Sequence, residues 1–173
     1  MADSIANTEP IANFVLMKIT LVTVGRTDIK WVKEGLDMYV SRLKHYVPFE
    51  MVEIPELKNV SALTKDQIKT KEGELILKLL KPSDDVVLLD EHGREFRSIE
   101  FAEELRCKMT RAGKDIVFVI GGAYGFSPEV YSRAASKISL SKMTFSHQIV
   151  RTIFAEQLYR AFTIIKGEPY HHE

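Results

Sequence analysis

Two apolar segments that run out side by side into glycine- and serine-rich backbone constrain this chain more than anything else in it. Residues 115–148 read DIVFVIGGAYGFSPEVYSRAASKISLSKMTFSHQ. The run 116–120 is apolar without alternation, as in a strand buried on both faces of a parallel sheet. It breaks at Gly121-Gly122, and Ser127-Pro128-Glu129 then opens a short helix. A second apolar piece, Ile138-Ser-Leu140, runs into Ser141-Lys142-Met143-Thr144-Phe145. Ligands of α/β sheets bind at the carboxyl ends of strands, where loops expose main-chain N–H and C=O groups. Glycine there lets a ligand approach the backbone closely.

The remaining residues supply the rest of such a sheet. Residues 18–25 (KITLVTVG) form a β-branched run ending in glycine, a buried strand. Apolar residues at Trp31, Val32, Leu36, Tyr39, Val40 and Leu43 fall at helical spacing, and Trp31 is expected in the core. Residues 49–55 form a second strand, and 57–63 a polar connection. Thr64-Lys-Asp-Gln67 has the capping-box pattern for a helix over 65–80 with Ile68, Leu75, Ile76 and Leu79 inward. Residues 86–89 form a third strand, ending at 90–93. Ser98 is expected to cap a helix that runs to Ala112 and stops at Gly113. Its carboxylates Glu100, Glu103 and Glu104 suit the dipole of a solvated first turn. A last helix over 146–166 directs Ile149, Ile153, Phe154, Leu158, Phe162 and Ile165 inward. Strands and helices alternate throughout, so the fold class is α/β, a mostly parallel sheet with helices on both faces.

Composition narrows the function. At 173 residues with 45% apolar side chains, the chain is one domain with a real core. Its net charge is zero, yet residues 1–109 carry −3 and residues 110–173 carry +3, so a polyanionic partner would favour the C-terminal half. Cys107 is the single cysteine, which excludes an internal disulfide and fits a reducing cytosol. No apolar run approaches the roughly 20 residues that span a bilayer. Residues 1–16 lack a signal-peptide pattern and read as a leader or an extension ahead of a start at Met17. The dinucleotide fingerprint, the phosphate loop and the nucleophile elbow are all absent. His45, His92, His147, His171 and His172 are scattered without metal-ligand spacing, which points to metal-free chemistry.

The segments IGGAYGFSPE and ISLSKMTFSHQIVRTIFAEQLYRAF, with the ending GEPYHHE, resemble the ribosomal RNA large subunit methyltransferase H family, a branch of the SPOUT methyltransferases. The resemblance extends from Met17 to the C-terminus. It implies a C-terminal trefoil knot, which the periodicity does not, because threaded chains are rare. It also implies a homodimer, a cytoplasmic location, and S-adenosylmethionine as methyl donor to N3 of a pseudouridine in 23S ribosomal RNA on the assembled ribosome. The resemblance assigns Leu89, Gly121, Leu140, Ser141, Lys142, Met143, Thr144 and Phe145 to the donor.

Methyl transfer from an activated donor depends mostly on alignment. His147, Arg151, Tyr170 and His171 are the candidates near the methyl acceptor. His147 and Arg151 share a helix face at i,i+4. Arg151 suits a phosphate, and Tyr170 and His171 suit base stacking and proton transfer. Two other readings stay open: a nucleotide- or flavin-binding module without turnover, and a ribosome-associated factor without catalysis.

Overall fold

Every strand in the computed structural model, which describes residues 17–111 and 114–172, runs parallel to its neighbours. The strands are β1 (Ile19–Val24), β2 (Phe49–Ile54), β3 (Asp85–Glu95), β4 (Ile116–Ile120) and β5 (Ser136–Ser139), in sheet order β2-β1-β4-β3-β5. Strands β1 and β4 lie inside the sheet and are buried along their whole length. Their near-continuous apolar sequence follows from that position.

The two-residue strand period sorts these side chains into two cores. Ile19, Leu21, Ile116, Phe118 and Ile120 face the first, covered by α1 (Lys30–Leu43), α3 (Ser98–Met109) and α5 (Ile149–Ile165). Val22, Val24, Val117 and Val119 face the second, covered by α2 (Lys65–Leu79) and α4 (Pro128–Arg133). Helices therefore lie on both faces. The capping box of α2 forms as its sequence demands: Gln67 N–H donates to Thr64 Oγ1 at 3.2 Å, and Thr64 N–H to Gln67 Oε1 at 2.9 Å.

Several expectations are corrected. Trp31 is 61% exposed, because the buried stripe of α1 is Val32, Leu36 and Leu43 and position 31 falls to one side of it. Leu79 ends α2 exposed, and Leu80 turns to the second core instead. Arg97, not Ser98, precedes the first turn of α3, and its N–H donates to Glu100 at 2.8 Å. The expected stop at Ala112-Gly113 and the leader 1–16 lie outside the described residues. Helix α5 presents Arg151, Ala155, Ala161 and Thr163 to the interior beside Phe154, Leu158 and Phe162, whereas Ile149, Ile153 and Ile165 are only half-buried.

Strand β3 continues well past Leu89. Its pairing to β5 slips, so that both Leu89 and Arg94 oppose Ile138 and residues 90–93 bulge outward. A Cβ at Gly93 would lie 2.4 Å from the Ile138 carbonyl carbon, so only glycine permits this approach. At the amino ends of the strands, buried Lys108 donates to both Asp85 oxygens (3.2 and 3.1 Å), tying α3 to β3.

Candidate functional site

A cleft of about 480 Å³ opens at the carboxyl ends of β4 and β5, beside the bulge in β3. One wall is Leu89 with the bulge residues Asp90 and Glu91. The floor is Ile120 and the turn Gly121–Gly125, and the opposite wall runs from Ile138 through His147 to Val150. This is where parallel sheets place their ligands, and the volume falls within the usual ligand range.

Local hydrogen bonding shapes the walls. Ser139 Oγ donates to the Ser141 carbonyl at 2.9 Å, and Met143 N–H donates to Ser141 Oγ at 2.9 Å, which curls 139–143 into a turn. Gly125, at φ +81°, lets its N–H return to the Gly122 carbonyl at 3.2 Å. Ser127 caps α4 behind this turn. Asp90 is anchored, accepting from the Tyr131 hydroxyl and from His92 N–H. Burial first, and then Asp90, hold the Tyr131 hydroxyl protonated.

The donor-site candidates converge, with one exception. Leu89, Gly121, Leu140, Ser141, Met143, Thr144 and Phe145 all line the cleft, whereas Lys142 is exposed outside it. Met143 (77% exposed) and Tyr124 (45%) stand uncovered at the mouth. Gly121 also carries a packing constraint. A Cβ there would meet the Phe126 ring at 3.0 Å, so bulk at this lining position would also press on the turn's packing.

The acceptor-side candidates separate. His147 lines the cleft and is exposed. Arg151 is wholly buried: it donates to the carbonyls of His147 (3.0 Å), Gly25 (3.0 Å) and Val24 (2.7 Å) and to Thr27 Oγ1 (2.8 Å). Glu53 lies 3.6 Å away. Desolvation pulls the guanidinium pKa down, against the charge of Glu53, yet arginine stays protonated. Arg151 therefore clamps the end of β1 to the start of α5 instead of meeting a phosphate. Tyr170 and His171 lie further along α5, where the tail folds back beside Glu156 and Arg160, roughly 8–14 Å along the axis from Arg151 at 1.5 Å per residue. There Tyr170 packs edge-on against Tyr159 at 4.8 Å and donates to Glu156 at 3.2 Å, and His171 Nδ1 lies 3.4 Å from Arg160.

Two features escaped the sequence. Asp90 and Glu91 line the cleft because β3 bulges, which no periodicity announces. Glu72 of α2 lies over Gly122, where a Cβ would meet its Oε2 at 2.6 Å, and that oxygen is buried without a partner. Burial, and secondarily Glu56, raise the Glu72 carboxyl pKa. The folded state thus holds this proton more tightly than the unfolded chain. Between the ordinary carboxylate range and the raised value, rising pH costs stability, and above that window the full cost remains. Glu72→Gln is expected to melt higher than the parent at pH 7 and to lose that advantage below about pH 4. Melting curves across pH check it, and an advantage unchanged with pH would exclude charge as the cause.

Among the described residues no helix is long and apolar enough to cross a membrane, and no group of three or more acidic, His or Cys side chains is placed to hold a metal. The family model described as "Predicted SPOUT methyltransferase" matches residues 17–171. The ribosomal RNA large subunit methyltransferase H of Phocaeicola vulgatus is 59% identical over 157 residues, covering 91% of this chain and all of that one. The protein of the same name from Parabacteroides distasonis is 57% identical over the same length. The crystal structure of a probable methyltransferase from Bordetella pertussis Tohama I superposes with a TM-score of 0.53 at 12% identity, covering 87% of this chain and 96% of that one.

Proposed function

The chain belongs to the SPOUT methyltransferase family, and we propose that it transfers a methyl group from S-adenosylmethionine to N3 of a pseudouridine in 23S ribosomal RNA. The observation that carries this reading is the open cleft at two strand ends and a strand bulge, in a protein alike over 157 residues to ribosomal RNA methyltransferases. The residues fit such a donor. The turns 121–125 and 139–143 offer backbone groups for an adenine edge. Leu89, Leu140 and Met143 offer apolar surface for its faces. Asp90 and Glu91 supply negative charge toward a sulfonium and an ammonium group.

When bound, the donor supplies a methyl group already activated by its positive sulfur. The chain's own part is to hold the acceptor nitrogen in line and to take up its proton. His147 is the acceptor-side candidate on the cleft wall, where its imidazole offers a ring nitrogen to receive that proton. Tyr170 is not a base, because burial raises its hydroxyl pKa well above the ordinary range; it offers a ring and a donor instead. The trefoil-knotted path, a homodimer that brings Tyr170 and His171 to the partner's cleft, the assembled ribosome as substrate and a cytoplasmic location belong to the same proposal.

Ribosomes from cells lacking this gene, incubated with the protein and methyl-labelled S-adenosylmethionine, should acquire label at one 23S pseudouridine located by mass spectrometry. Donor binding without transfer would favour the nucleotide-binding reading. Ribosome binding indifferent to the donor would favour a non-catalytic factor.

A further inference from the structure

We propose that Trp31 is a stacking platform for an unpaired nucleotide of the RNA substrate, flanking the one that enters the cleft. The inference rests on the ribosomal RNA reading above. It begins from an anomaly: the chain's single tryptophan, in a helical pattern that invites burial, is 61% exposed. None of the aromatic pairs or cation–π contacts among the described residues involves its ring. An indole left bare in this way forgoes a large burial gain, and base stacking is one use of such a surface.

Its position suits that partner. The first turn of α1 is fastened to the cleft wall: Gln148 Oε1 accepts from both Asp28 N–H and Ile29 N–H at 3.1 Å, capping α1 from 120 and 119 residues away. His147, the neighbour of Gln148, lines the cleft. Thr152 Oγ1 donates to the Val32 carbonyl at 3.0 Å, so α5 holds α1 on both sides of position 31. The intervening chain puts Trp31 on the order of 15 Å from His147.

Cations accompany the ring. Arg26 and Lys30 are exposed in the segment leading to Trp31, with exposed Asp28 between them, and Lys30, 91% exposed, only grazes Glu34 at 3.9 Å. Such a pair contributes little and leaves the ammonium available to a phosphate. An aromatic face with mobile cations beside it fits a single-stranded RNA segment better than an apolar protein partner.

Because Trp31 is the only tryptophan, its fluorescence reports the platform directly. A short oligouridylate should quench it saturably, and added salt should weaken the effect. With parent ribosome methylation established, Trp31→Ala should raise KM for ribosomes about tenfold, while kcat, donor affinity and melting point stay near the parent values. Trp31→Phe should recover most of the loss. An unchanged KM, or no quenching by the oligonucleotide, would overturn the proposal. So would an indole signal that responds to protein concentration instead of RNA, which would mean that a second copy covers it. Failure of parent ribosomes to be methylated would instead overturn the functional reading.

Discussion

Removal of residues 169–173 is expected to abolish ribosomal RNA methylation while donor affinity and subunit association persist. Terminal residues usually fray, but these are directed. Gly167, at φ +67°, ends α5, and Glu168 N–H returns to the Thr163 carbonyl at 2.9 Å. Pro169 then limits the backbone before Tyr170, whose ring is held by Tyr159 and by Arg160 at 4.8 Å. Residues through His172 are described, and Glu173 lies beyond them. Neither Tyr170 nor His171 lines the cleft of its own chain, and in the proposed homodimer so ordered an ending is suited to complete the partner's. Calorimetry with S-adenosylmethionine, sedimentation and mass spectrometry of the RNA read the three properties separately. Co-expression of the truncated chain with a His147→Ala chain should restore activity, because one of the two mixed sites then carries both an intact tail and an intact cleft. Full methylation by the truncated protein alone would remove Tyr170 and His171 from the chemistry.

Arg151→Met is the second large effect, and it concerns stability. The side chain has no exposure and donates to three main-chain carbonyls and one hydroxyl. Methionine fills similar volume but leaves the buried carbonyls of Val24 and Gly25 without their charged donor, and solvent-exposed Glu53 without its cation. Orphaning buried groups of this kind costs about 3–5 kcal/mol, equivalent to a melting point lower by about 10 °C in a chain of this size. Arg151→Lys should fall between, since an ammonium cannot span all four acceptors. A phosphate-binding arginine would behave oppositely: ribosome affinity would fall and the melting point would hold. Thermal denaturation together with a ribosome-binding titration separates the two.

Much of the fold was legible because it depends on local chemistry. Buried parallel strands must be apolar on both faces, so 19–24 and 116–120 announce themselves. A capping box satisfies its own orphan amides, so Thr64 and Gln67 mark the start of α2 without help. Glycine and serine at strand ends marked the turns that wall the cleft, and seven of the eight residues proposed for the donor, Lys142 excepted, line it. Tertiary structure decided the rest, wherever a side chain's partner is distant in sequence. Helical spacing over 146–166 put Arg151 and His147 on one face, but α5 begins only at Ile149. His147 therefore stays in the turn on the cleft wall, while β1, more than 120 residues earlier, holds Arg151 inward as a clamp. Trp31 matches a buried pattern, yet neighbours determine which side of a helix is covered. The slip between β3 and β5 that brings Asp90 and Glu91 into the cleft is a property of the pair of strands. Neither strand encodes it alone.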